Sequence, residues 1–303
     1  MRYRKLSQNN MSNKMTSRPK IIFTDFDGTI KPPHGQVAAS DLAALRKLGR
    51  LGVIRVVATG RSLYSFARDY PPEMEFDYLI FSSGLGLCPW NNLNNSRASN
   101  QNAPAQLIFS HQFSQKQIAL ALKASIELGR GFFAFQPPPN CHCFVYLAPE
   151  IYPPTQGFLD RLQLYAPFAI PYNGQDLGPR GQFLITAPFD QMPPVRDGFE
   201  QMAPGLSLTY SSSPYGDRAL WLEIFPPNVS KGSAAKFLAE SLGLTSQESL
   251  AIGNDYNDLD LLAWSGQSYL TSDASPKIRS LYPAAPASPD APLSWLLSKL
   301  FGV

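Results

Sequence analysis

Over the first 90 residues, apolar positions fall into short unbroken runs with amphipathic stretches between them. Ile21-Ile22-Phe23-Thr24-Asp25-Phe26 is such a run; it ends in a carboxylate and opens into Asp27-Gly28-Thr29. A strand buried on both faces of a parallel sheet reads this way, continuous rather than alternating. Leu42, Leu45 and Leu48 then recur at helical spacing, with Ser40 as candidate N-cap and Gly49 and Gly52 as stops. Val53 to Ala58 predicts a second buried strand, running into Thr59-Gly60-Arg61-Ser62. Tyr78 to Phe81 predicts a third, running into Ser82-Ser83-Gly84. Strands alternating with helices imply an α/β fold: a Rossmann-like parallel sheet with helices on its faces.

The pattern changes after Gly86. Residues 90–106 are rich in Asn, Ser and Ala and read as a loop. Beyond them an amphipathic helix is expected over Gln115 to Leu128. Strands are expected near Phe132 to Phe135, Cys143 to Leu147, Gln182 to Thr186 and Leu220 to Phe225. Proline pairs and triplets at 137–139, 153–154 and 193–194 read as breaks between elements. From Ser230 the α/β pattern resumes, with a helix carrying Ala234, Ala235 and Leu238. The strand Leu250-Ala251-Ile252 then enters Gly253-Asn254-Asp255-Tyr256-Asn257-Asp258. A leucine-rich helix follows, and a proline- and alanine-rich loop leads to a closing helix through Trp295. The expected organisation is a leader at 1–18, a core of 19–85 and 227–303, and an inserted α+β cap domain of 86–226.

Composition adjusts this picture at the N-terminus. The 303 residues carry a formal charge of +3. Arg2, Arg4, Lys5, Lys14, Arg18 and Lys20 supply six positive charges with no acid among the first 20 residues; taking those six away from +3 leaves −3. A mildly acidic body has no nucleic-acid footprint. The basic segment reads as a disordered leader or as sequence upstream of a start at Met11 or Met15; a transit peptide has the same composition. No stretch approaches the roughly 18 apolar residues a membrane span needs, so a soluble, cytoplasmic protein with no membrane partner is expected. Cys88, Cys141 and Cys143 suit a reducing compartment. Cys141-His142-Cys143 lacks a second cluster to complete a zinc site and reads as buried strand, as Phe132, Phe133 and Phe135 read as core. His34 reads as exposed in a proline-rich flap. The sequence does not declare an oligomeric state.

Polar residues gather where the predicted strands end: Asp25 and Asp27, Thr59, and the cluster from Asn254 to Asp258. In open α/β sheets, ligands bind at that edge. Carboxylates crowded there repel one another unless a cation sits among them, and oxygen donors of this kind suit Mg²⁺. The Thr59 hydroxyl, N–H groups near Gly28 and Gly60, and the Lys231 ammonium are natural phosphate donors. Arg61 reads equally as a surface charge or a substrate contact.

Asp25-Phe26-Asp27-Gly28-Thr29, Val57-Ala58-Thr59-Gly60-Arg61, Val229-Ser230-Lys231-Gly232 and Gly253-Asn254-Asp255-Tyr256-Asn257-Asp258 resemble, in order, the four motifs of the haloacid dehalogenase superfamily. The insert between the second and third motifs, and Trp221-Leu222-Glu223-Ile224 before the lysine, are similar to its Cof-like, sugar-phosphatase branch. The resemblance implies Asp25 as nucleophile and Asp27 as general acid and base. It implies Thr59 and Lys231 on the phosphoryl oxygens, with Gly28, Gly60 and Arg61 around the phosphate. It places Mg²⁺ on Asp25, the Asp27 carbonyl and the fourth motif, with Asn257 and Asp258 in support. The family usually has Asp where this chain has Asn254, which leaves Asn254 and Asp255 as alternatives for the third ligand. Ser83 is a second departure, at the cap hinge, where many relatives have Asn. The implied reaction is hydrolysis of a small phosphorylated metabolite, a sugar phosphate foremost, through an aspartyl phosphate. A phosphomutase on the same scaffold, or a phosphate-ligand-binding protein without turnover, are the alternatives.

Overall fold

The computed structural model describes residues 18–90, 106–214, 216 and 218–302. The leader, up to residue 17, and most of the expected 90–106 loop lie outside the described residues.

The chain opens with β1 (Ile21–Thr24), α1 (Ala39–Arg50), β2 (Ile54–Ala58), α2 (Leu63–Asp69), β3 (Tyr78–Phe81), β4 (Gly86–Pro89) and β5 (Phe109–Ser110). It continues through α3 (Gln115–Glu127), β6 (Phe132–Phe135), β7 (Phe144–Leu147), α4 (Gln156–Leu164), β8 (Ala169–Pro171), β9 (Gln182–Pro188), α5 (Met192–Met202), β10 (Ser207–Ser212) and β11 (Ala219–Phe225). It closes with α6 (Lys231–Ser241), β12 (Ser249–Gly253), α7 (Leu259–Trp264), β13 (Gln267–Thr271), β14 (Ala284–Ala285) and α8 (Pro292–Phe301).

The larger sheet has the order β14-β13-β12-β1-β2-β3-β4-β5. Its strands from β14 to β3 are parallel, and β4 and β5 fold back antiparallel. Neighbouring residues of β1 enter different cores. Ile22 packs with α1 and α8 through Leu45, Leu48 and Leu296, whereas Ile21 and Phe23 pack with α6 and α7 through Ala235, Leu238 and Leu261. Helices on both faces explain why these strands are apolar without alternation. The expected core limit at residue 85 moves. Gly86 to Pro89 is itself an apolar return strand paired with β3, so sheet membership carries the core to Ser110. Helix α1 also begins one residue before the expected cap Ser40, with Ala38 at its N-cap and no side-chain cap.

The smaller sheet has the order β10-β11-β9-β6-β7-β8 and is antiparallel except between β7 and β8. One face packs on α3 and α5 through Ile118, Ala121, Val195 and Phe199. The other holds Phe133, Phe135, Leu184 and Trp221 beneath Phe158 of α4. Pro193-Pro194, expected to break the chain, instead lies in the first turn of α5; proline fits there because those N–H groups have no intrahelical acceptor. No helix among the described residues is long and apolar enough to cross a membrane.

Candidate active site

The site is built at the C-terminal edge of the parallel strands. Asp25 follows β1 directly, and its N–H continues the ladder to the Ile252 carbonyl at 2.9 Å. The chain then turns sharply: the Phe26 carbonyl accepts from Ile30 at 3.1 Å and from Lys31 at 2.9 Å. Gly28 sits in this turn at φ +75°, and a Cβ there would lie 2.1 Å from Asn254 Nδ2. Glycine therefore permits both the left-handed backbone and the close approach of the first and fourth motifs.

Lys231 is the first residue of α6. Ser230 caps that helix by accepting from the Ser233 N–H at 3.1 Å. The Lys231 ammonium is buried and donates to Asp25 Oδ1 and to Asp258 Oδ1, each at 2.6 Å. Burial opposes its charge, but Asp25 and Asp258 outweigh that and hold the lysine protonated, its pKa above the ordinary value. Burial and the Asp258 carboxylate push Asp25 up, against the pull of Lys231. The second oxygen of Asp258 accepts from the N–H groups of Asn254 at 2.9 Å and Asp255 at 3.0 Å, which fixes the fourth loop.

Asp27 is exposed and held by Arg61, whose Nε and Nη2 reach its two oxygens at 2.6 and 2.8 Å. Nη1 of the same guanidinium bonds Asp69 of α2 at 2.5 Å, so Arg61 is anchored from behind. Buried Thr59 accepts from the Arg61 N–H at 3.1 Å. A Cβ on Gly60 would lie 3.4 Å from Asn257 Nδ2 and 3.5 Å from Ser83 Oγ, so the second motif, the fourth motif and the hinge meet there.

The two candidates for the third metal ligand part company. Thr29 Oγ1 lies 3.0 Å from Asp25 Oδ2 and 3.3 Å from Asn254 Oδ1, so the latter two oxygens converge on one hydroxyl. The Asp255 carboxylate turns to the cap, accepting from the Ser212 N–H at 2.7 Å and its hydroxyl at 3.0 Å. Among the described residues no group of three His, Cys, Asp or Glu side chains is arranged around a cation. The oxygens the structure brings together are few and weakly charged: one carboxylate of Asp25 and one carboxamide of Asn254. They suit a hard cation that keeps several waters, as Mg²⁺ does.

Sequence reasoning missed three participants. Thr29 ties Asp25 to Asn254, and Asp69 anchors Arg61. Glu223 of β11 is buried and accepts from Ser83 Oγ at 2.8 Å, Gln182 Nε2 at 3.4 Å and Ser211 Oγ at 2.5 Å. A lone carboxylate inside the apolar run Ala219-Leu220-Trp221-Leu222-Glu223-Ile224-Phe225 was its available signal. His142 stacks on Tyr64 of α2 at 4.4 Å between centroids, rather than forming a ligand set with its flanking cysteines, all of them free.

A model of the haloacid dehalogenase-like hydrolase family matches residues 22–138 and 197–284, more than half of the chain. The chain belongs to that family and is an enzyme of the hydrolase class. An HMP-PP phosphatase from Yersinia enterocolitica is 25% identical over 267 residues, 87% of this chain and 88% of that protein. Another, from Cronobacter sakazakii, is 32% identical over 65 residues, 22% of this chain and 24% of its own length. Among solved structures, a superfamily phosphatase from Bacteroides thetaiotaomicron superposes with a TM-score of 0.72 at 16% identity, covering 94% of this chain and 96% of that one. A subclass IIB sugar phosphatase superposes with a TM-score of 0.68 at 13% identity, covering 93% and 99%. At these identities the two structures establish the shared fold.

Proposed function

We propose that this protein is a magnesium-dependent phosphatase of small phosphomonoesters, sugar phosphates foremost, working through an aspartyl phosphate on Asp25. The observation that carries the reading is the Lys231 ammonium buried 2.6 Å from Asp25 and 2.6 Å from Asp258. Ionisable groups crowded and buried in this way, with a lysine between two carboxylates at the strand edge, cluster at functional sites. The similarity to phosphatases over most of the chain supports the same reading.

Asp25, the Asp27 carbonyl and Asn254 would hold the cation, and Asp255 serves the cap. When bound, the metal supplies charge neutralisation between the attacking carboxylate and the phosphoryl oxygens. Lys231, the Thr59 hydroxyl and the N–H groups around Gly28 and Gly60 orient those oxygens. The Asp25 oxygen attacks phosphorus, the ester P–O bond breaks, and Asp27 gives its proton to the departing oxygen. In the second half Asp27 takes a proton from water, the water oxygen bonds to phosphorus, and the Asp25–phosphorus bond breaks. Ester and water become alcohol and phosphate. Asn257 and Asp258 support the loops that carry these groups.

The test is phosphate release from a panel of sugar phosphates and aryl phosphates, with and without Mg²⁺, for wild type and Asp25→Asn. Release that needs Mg²⁺ and disappears in the variant is the expected result. Folded wild type releasing no phosphate from any ester at millimolar Mg²⁺ would overturn the reading.

A further inference from the structure

The cap sheet turns one face to α4 and the core, and antiparallel register decides which residues lie on it. Trp221 is paired with Ser211 and with Thr186, and Glu223 with Leu184, so these side chains share a face. Helix α4 is docked on that face by its N-cap, with Thr155 Oγ1 donating to Thr186 Oγ1 at 2.9 Å. From α4, Arg161 reaches down among aromatic rings. Its guanidinium carbon lies 4.8 Å from the Trp221 ring centre, 5.0 Å from Phe135 and 5.3 Å from Tyr165.

Stacking rigidifies the guanidinium without using its donors. Among the described residues Arg161 forms no ion pair, and its Nε is buried without a hydrogen-bond partner. A guanidinium held between rings with its Nε unpartnered is suited to a carboxylate or phosphate. Glu223, on the same face, bonds Ser83 at 2.8 Å and feels the charges of both Lys231 and Arg161. The Arg161 charge therefore lies on the face of the cap sheet that also carries Glu223 and its bond to Ser83 of the core.

We propose that Arg161 is a specificity residue that binds a second anionic group of the substrate, so that the preferred ester carries a carboxylate or a second phosphate besides the phosphoryl group that is removed. This rests on the phosphatase reading above and narrows its substrate class.

The experiment compares kcat/KM for fructose 1,6-bisphosphate, 6-phosphogluconate and glucose 6-phosphate in wild type, Arg161→Gln and Arg161→Lys. Wild type should favour at least one doubly anionic ester over glucose 6-phosphate. Arg161→Gln should lower that preference about tenfold or more, through KM rather than kcat. Arg161→Lys, which keeps the charge, should recover part of it. Whether the bisphosphate or the phosphogluconate shows the larger loss identifies the second anion as phosphate or carboxylate. A preference that is absent in wild type, or unchanged in folded Arg161→Gln, overturns the proposal. If no ester is turned over, the phosphatase reading fails, and calorimetric binding of the same three compounds to the three proteins decides the role of Arg161 by the same ratio.

Discussion

Asn254 brings a neutral oxygen to the side of the site where Asp25 lies, so a cation there meets one full side-chain charge rather than two. Ligand charge tunes the affinity of hard-cation sites. Asn254→Asp should therefore lower the Mg²⁺ concentration giving half-maximal phosphate release by roughly tenfold, equivalent to about 1.4 kcal/mol; an unmoved Mg²⁺ curve would remove residue 254 from the ligand set. Arg61 acts one step further out, as a positioning residue. Its two bonds to Asp27 and its anchor on Asp69 hold the Asp27 side chain in place, and in the proposed mechanism that would aim the acid at the leaving oxygen. Arg61→Ala should cut turnover of alkyl phosphates by roughly 10². An aryl phosphate leaves without needing a proton, so turnover of p-nitrophenyl phosphate should fall much less. Equal losses on both substrate types would show that Arg61 supports the fold instead of aiming Asp27.

Among the elements, α8 begins without a cap of its own: its N-cap is Ala291, whose side chain offers no acceptor. Asp41 of α1 supplies the acceptor, taking the Ser294 N–H at 2.8 Å. Asp41 is fully buried, and that burial pushes its carboxyl up to about 6 despite the N–H groups of Ser294 and Leu293. A carboxyl raised on folding contributes stability that is complete below its unfolded value near 3.8 and is lost as pH rises through 6. Asp41→Asn removes that loss. Denaturant unfolding should show the variant gaining on wild type between pH 4.5 and 7.5 by about 2 kcal/mol. A constant difference across that range would place the titration elsewhere. The Asp41 contact also shows what was legible in the chain. The burial of β1, β2, β3 and β12 could be read from short, mostly apolar runs, because a strand covered on both faces leaves few polar positions; Arg55 in β2 is the exception, paired with Asp77. Asp25 and the fourth motif were legible for the same reason, since each ends such a run, and Lys231 because it opens a helix just after its N-cap Ser230. Helices α4 and α5 were not, since their proline flanks signal a turn and a helix start equally. Asp69 and Asp41 could not be found by spacing, because each acts on another element, whereas Glu223 showed itself only as a carboxylate inside an apolar run and its partners lie far away in sequence.

At the scale of the whole molecule, cap and core meet through contacts on different sides of the site. Tyr64 stacks on His142, Ser83 at the hinge donates to Glu223, and Asp255 accepts twice from Ser212. The last pair joins the loop after β12 to the end of β10, and in the proposed closing of the cap it would couple cap position to the fourth motif. Two hydrogen bonds to a carboxylate are worth roughly 1.5–3 kcal/mol each when fully formed and less at a partly exposed seam. Loss of even about 1.4 kcal/mol from the closed state shifts its balance with the open state tenfold. Asp255→Ala should therefore raise KM by about tenfold and increase the radius of gyration measured by small-angle scattering without ligand, with helix and sheet content unchanged. The same variant separates the two roles open to this residue. A latch predicts a changed radius with the half-saturating Mg²⁺ concentration nearly constant, because Asn254 and Asp25 still face each other across Thr29. A ligand predicts the reverse, a steep rise in the Mg²⁺ requirement and an unmoved radius. The carboxylate's two bonds to Ser212 favour the latch, since an oxygen pair committed across the seam is withdrawn from the cation whenever the cap is shut.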